Sequence, residues 1–203
     1  MVQRTDIEGG EALIGPALTI PNLITFARLL AVPVAVWLIL DGDDAAAFWV
    51  FIAAGVSDAA DGYIAKHFDS RSRLGALLDP LADKALLTSV YVALAVAGQL
   101  PGWLVSLVVL RDSLILAGFV RIQATGAPYR FDPLLISKLN TLLQIALVGF
   151  VLGDLGLDIH TGIVIPLLTA AVAVTTIVSG FWYLGRWARV LVSPHTARPD
   201  PRL

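Results

Sequence analysis

The sequence predicts an all-α integral membrane protein with six transmembrane helices and both termini cytoplasmic. Three observations carry that prediction. Of the 203 residues 57% are hydrophobic and only 15% are charged, against about 25% charged in a soluble domain. Apolar stretches long enough to cross a bilayer, about 20 residues at about 1.5 Å each, recur six times. Lys and Arg keep to alternate loops, as they do on the cytoplasmic side of a membrane.

The first stretch covers residues 21–40. Ahead of it, residues 1–18 are expected to be a loose or interfacial segment, because Asp6, Glu8 and Glu11 stand where a cleavable signal would carry basic residues. The second stretch, 45–67, follows the acidic loop Asp41-Gly42-Asp43-Asp44. The third runs over 74–100, the fourth over 103–123, the fifth over 134–157 and the sixth over 161–192. Residues 19–192 thus form one membrane domain. The segment 193–203, with Pro194, Pro199 and Pro201, is expected to be a disordered tail. Loops one, three and five contain no Lys or Arg, whereas Lys66, Arg71, Arg73, Arg121 and Arg130 lie in or beside loops two and four. Trp49, Trp103, Trp182 and Trp187 lie near span ends, as aromatic-belt anchors do.

The same composition excludes several functions. The charges nearly cancel to −2 and the sequence pI is about 5.8, so no nucleic-acid partner is expected, since that contact needs a basic surface. Without cysteine there is no disulfide scaffold, thiolate zinc site or Cys nucleophile.

A charge at the bilayer centre costs about 2.5–3.5 kcal/mol even on the lenient insertion scale. Yet the end of the second span carries Asp58 and Asp61, and the start of the third carries Asp79 and Asp83. Three and four residues apart, each pair shares a helix face. Counted from the intervening loop, all four fall at matching depths, roughly 7–13 Å inside the cytosolic boundary. One intramembrane Asp is explained by helix packing; four at one depth repel or protonate unless cations neutralise them. Oxygen ligands without Cys or a nearby His select Mg²⁺ or Mn²⁺, and Mg²⁺ on few protein ligands completes its shell with water and substrate phosphates. The small residues Ala59, Ala60, Gly62, Ala65, Gly75 and Ala76 leave room for a substrate against these helices.

The pattern Asp58-x2-Asp61-Gly62-x2-Ala65-Lys66-x8-Gly75-x3-Asp79-x3-Asp83 resembles the signature of the CDP-alcohol phosphatidyltransferases, membrane enzymes that transfer a phosphatidyl or phosphoalcohol group and release CMP. It departs at Lys66, where the family usually has Arg. Lys keeps the charge and gives up the bidentate fork. Ile20-Pro21-Asn22-Leu23-Ile24-Thr25-x2-Arg28 resembles the start of the first span in phosphatidylglycerophosphate synthases and in cardiolipin synthases of the CMP-forming type. Leu110-Arg111-Asp112 and Ile136-Ser137-Lys138-Leu139-Asn140-Thr141-x2-Gln144 resemble the latter group more, because glycerophosphate-using relatives tend to a second basic residue where Asn140 stands.

The resemblance implies roles. Asp58, Asp61, Asp79 and Asp83 would hold two Mg²⁺ or Mn²⁺ ions, with Asp83 also the general base. Asp58, Gly62, Ala65, Lys66 and Gly75, with Asn22, Thr25 and Arg28 of the first span, would bind the nucleotide end of CDP-diacylglycerol. Arg111, Lys138, Asn140 and Thr141 would receive the acceptor lipid, phosphatidylglycerol. Asn22 and Thr25 are also explained as residues of a helix start, Arg111 as an ion-pair partner of Asp112 or of a motif carboxylate, and Lys138 as a snorkelling interface residue. Lys84 reads as a counter-charge. A homodimer in a bacterial inner (cell) membrane, with the site toward the cytosol, completes the expectation. Phosphatidylglycerophosphate synthesis is the nearest alternative. A cation- or proton-coupled transporter is the alternative outside the family, disfavoured because the outer halves of the spans hold almost no charge.

Overall fold

The chain is described from a computed structural model, which covers the backbone of residues 20–68, 73–125 and 135–192 and the side chains of residues 27, 29–57, 84–118 and 135–185. Six α-helices and, among the described residues, no strand make up the fold. They are α1 (Ile20–Asp41), α2 (Asp44–Phe68), α3 (Arg73–Val96), α4 (Gly102–Thr125), α5 (Leu135–Leu157) and α6 (Val164–Val192). Each expected stretch is one helix.

Two boundaries differ from expectation by three residues or more, both for local backbone reasons. The third helix stops at Val96 instead of residue 100, because Gly98 takes a left-handed φ of 76°. There Gln99 donates its N–H back to the Leu94 carbonyl at 2.8 Å, closing the helix end. The sixth helix starts at Val164 instead of residue 161. The loop before it contains left-handed residues Asp158, His160 and Gly162, and the Asp154 carboxylate accepts from both the N–H (2.7 Å) and the hydroxyl (2.9 Å) of Thr161. At the start of α2, Asp43 accepts from the Ala46 N–H at 3.1 Å and caps the helix.

Around the bundle, α1 packs on α2, α2 on α5, α5 on α6, α6 on α4, α4 on α3 and α3 on α1, and α3 also meets α5. The interior is apolar: Tyr91, Leu94, Leu104, Leu147 and Leu152 are fully buried. The outside is apolar as well, with Trp37, Trp49, Ile163 and Phe181 all more than half exposed. Such a surface would aggregate in water and suits a lipid solvent. Among the described residues, Leu135–Leu157 and Val164–Gly185 are each long and apolar enough to cross a membrane, and Leu29–Asp41, Asp44–Ser57 and Lys84–Val96 are shorter apolar helical stretches.

One crossing fixes the first turn of α2. A methyl group on Gly156 would stand 2.5 Å from the Ala45 nitrogen and 2.6 Å from its Cα, so α5 touches α2 backbone to backbone, as small residues allow in lipid. Backbone cannot swing aside as a side chain can. Gly156→Ala is therefore expected to cost about 1–3 kcal/mol and to lower the thermal midpoint in detergent. Gly149→Ala, where nothing lies within 4 Å, should leave it unchanged; tryptophan fluorescence melting of both variants checks this.

Candidate active site

The backbone of α2 carries positions 58, 61, 62, 65 and 66, and that of α3 carries positions 75, 79 and 83. The side chains of Asp58, Asp61, Gly62, Ala65, Lys66, Gly75, Asp79 and Asp83, and of Asn22, Thr25 and Arg28 on α1, lie outside the described residues. Among the described residues no group of three or more His, Asp or Glu could hold a metal ion.

The described part of the site begins at the next residue, Lys84. Its ammonium lies 2.8 Å from Asp112 Oδ2, and the other oxygen of that carboxylate lies 2.6 Å from Arg111 Nη1. Arg111 is only 3% exposed although it sits inside an apolar helix. A guanidinium in that setting needs partners on several sides. It donates to Asp112, from Nε to the Ser179 hydroxyl on α6 at 3.1 Å, and from Nη2 to the Ser137 hydroxyl on α5. Three of the five N–H donors a guanidinium carries are thus assigned. Among the described residues, Lys84 and Arg111 share one carboxylate, leaving one positive charge in surplus beside the segment that carries Asp83.

From Ser137 a polar stripe runs along α5 through Asn140 and Gln144, positions that share a helix face. Asn140 is fully buried; its Oδ1 accepts from the hydroxyls of Thr175 at 2.7 Å and Thr176 at 2.9 Å. Nδ2 has no partner among the described residues. Gln144 is equally buried and both its amide atoms lack partners among those residues, while its backbone carbonyl accepts from the Tyr91 hydroxyl at 3.2 Å.

The structure thus brings Arg111 and Asn140 to one buried polar region. Thr141 turns its hydroxyl to the Ser137 carbonyl of its own helix, and Lys138 is exposed. The ion pair of Arg111 with Asp112 is present. Sequence reasoning named Asp112 only as an ion-pair partner of Arg111 and gave no role to Ser179, Thr175 or Thr176. An acid inside an apolar stretch was a signal for Asp112, but single Ser and Thr residues are common in apolar helices and mark nothing by themselves. A cavity of about 490 Å³ lined by Asp154, Asp158 and His160 lies at the α5–α6 loop. The Gly156–Ala45 contact puts that loop beside the start of α2, and Asp58 and Asp61 lie toward the helix's other end, so the cavity is remote from them.

The fold and these motifs define a class. The model of the family described as CDP-alcohol phosphatidyltransferase matches residues 18–182, and the chain belongs to that family. It is 38% identical over 81% of its length to a fission yeast (Schizosaccharomyces pombe) protein named cardiolipin synthase (CMP-forming) / mitochondrial hydrolase fusion protein, covering 30% of that protein. It is 34% identical, again over 81%, to the rat (Rattus norvegicus) cardiolipin synthase (CMP-forming), covering 60% of it. A rice (Oryza sativa subsp. japonica) chloroplastic CDP-diacylglycerol--glycerol-3-phosphate 3-phosphatidyltransferase is 33% identical over 90% of the chain and is covered to 62%. The chain therefore spans between about a third and three fifths of the length of these curated relatives.

The Gln144 amide allows a test of the polar stripe. An unpartnered buried polar group costs about 1–3 kcal/mol, so Gln144→Met, similar in volume, should hold or raise the thermal midpoint. A fall in midpoint would show that the amide has a bound partner, and the same melting assay reads it.

Proposed function

We propose that the chain is a CMP-forming cardiolipin synthase: it moves a phosphatidyl group from CDP-diacylglycerol to phosphatidylglycerol, giving cardiolipin and CMP. The observation that carries this reading is the buried Arg111 of α4, joined through Asp112 to Lys84, the α3 residue next to Asp83. A desolvated guanidinium with donors to spare suits the anionic phosphodiester of an acceptor lipid. Asn140 supports the choice of acceptor. It is neutral and held by Thr175 and Thr176 where glycerophosphate-using relatives tend to a second cation.

In this reading all six helices span the membrane with both termini cytoplasmic, and the site faces the cytosolic leaflet of a bacterial inner membrane. The protein works there as a homodimer. Asp58, Asp61, Asp79 and Asp83 are the residues to hold two divalent cations, because four carboxylates without sulfur or imidazole suit Mg²⁺ or Mn²⁺. Bound there, such ions supply charge neutralisation for the substrate diphosphate. The chain's own residues do the rest. Gly62, Ala65 and Gly75 make room for the nucleotide, Lys66 stands near its phosphate, and Asn22, Thr25 and Arg28 face the head group from α1. Arg111, with Lys138, Asn140 and Thr141 on α5, orients phosphatidylglycerol. Asp83 accepts the proton of the acceptor hydroxyl as its oxygen bonds to the phosphorus bearing diacylglycerol, and the bond from that phosphorus to CMP breaks.

Purified protein given CDP-diacylglycerol, phosphatidylglycerol and Mn²⁺ or Mg²⁺ should release CMP and form cardiolipin, both seen by chromatography and mass spectrometry. Asp83→Asn should lower CMP release about 100- to 10,000-fold while nucleotide still binds. If glycerol 3-phosphate supports CMP release and phosphatidylglycerol does not, the chain is a phosphatidylglycerophosphate synthase, as the rice relative is named.

A further inference from the structure

The Asp112 carboxylate has no oxygen in reserve. Oδ1 accepts from Arg111 on its own helix at 2.6 Å, and Oδ2 accepts from Lys84 on α3 at 2.8 Å. The side chain is only 9% exposed, whereas that of Lys84 is 37% exposed. Lys84 directly follows Asp83, so the bridge joins the segment of α3 that carries Asp83 to the guanidinium that Ser137 and Ser179 also grip.

We propose that Asp112 is a positioning residue of the transfer reaction: by bridging Lys84 and Arg111, it sets where the acceptor's anionic group stands relative to Asp83. This rests on the reading of Arg111 and Asp83 given above. The chemistry requires a carboxylate. A carboxamide offers one accepting oxygen and turns a donor toward the second cation, so Asn at this position can serve Arg111 or Lys84 but not both. With the bridge broken, Lys84 relaxes toward solvent and Arg111 keeps only two hydroxyls and one carbonyl-type partner at best. A role in charge balance alone gives the opposite expectation, since removing the carboxylate increases the positive surplus and tightens binding of an anionic lipid.

Steady-state kinetics of the full chain in mixed micelles, varying phosphatidylglycerol and CDP-diacylglycerol separately, tests this. Asp112→Asn should lower kcat/KM for phosphatidylglycerol about 10- to 100-fold, with the KM for CDP-diacylglycerol changed less than about two-fold. Asp112→Glu, which restores the second oxygen, should recover most of the loss. Tighter phosphatidylglycerol binding, equal losses on both substrates, or no change would each overturn the proposal. Lys84→Met leaves the Arg111–Asp112 pair in place and should show the same selective loss in weaker form. Should Asp112→Asn not fold, an unaltered Lys84→Met overturns the proposal by itself. Arg111→Lys separates this inference from the reading beneath it. If it leaves phosphatidylglycerol kinetics intact, the acceptor role of Arg111 fails; if it impairs them while the Asp112 and Lys84 variants do not, only the positioning role fails.

Discussion

The arrangement of the inner-facing polar residues follows from one constraint: inside a bundle that is apolar within and without, charged groups are satisfied by other parts of the same chain. Arg111 makes the constraint visible. It sits in the middle of the largely apolar α4, and its partners come from α4, α5 and α6. Lys84 extends the set to α3. Four helices that share little but apolar contact are thereby given one relative placement. Dispersion and small-residue packing hold helices together in lipid without selecting a register, whereas a guanidinium fixes directions as well as distance.

Around that point the apolar packing has its own fixed contact, the approach of Gly156 to the start of α2. The two constraints act at different levels of the bundle. One is geometric and holds the end of α2 far from the carboxylate motif. The other is electrostatic and lies level with the segment of α3 next to Asp83. Between them the Tyr91 hydroxyl joins α3 to α5 at Gln144.

Much of this was legible in the sequence, and the reasons are physical. Each helix exists because its apolar run is long, and length alone reveals it. Helix ends were misplaced where a single backbone feature decides them. At Gly98 the left-handed turn comes before the apolar pattern ends, and at Thr161 a carboxylate seven residues back holds the chain out of the helix. Arg111 and Asn140 were legible through the stretches that resemble those of CMP-forming cardiolipin synthases. Ser137 and Ser179 as guanidinium partners, and Thr175 and Thr176 as the hydroxyl partners of Asn140, were not. Their roles depend on which helix faces which, and periodicity along one helix carries no information about that. The acidic motif was read from spacing, and its side chains fall outside the described residues.

The order in which the chain is made adds a consequence to the Arg111 network. Lys84 and Asp112 are 28 residues apart, so a ribosome delivers both before Ser137 or Ser179 exists. In the proposed six-span arrangement the α3–α4 hairpin enters the membrane with its acid already able to serve two cations. Arg111 waits for its hydroxyl partners until α5 and then α6 arrive. The sixth helix is thus the one that completes the burial of a charge placed two helices earlier. In that arrangement the insertion of α6 completes the Arg111 network, and a chain cut short before residue 179 retains a guanidinium with one hydroxyl partner missing.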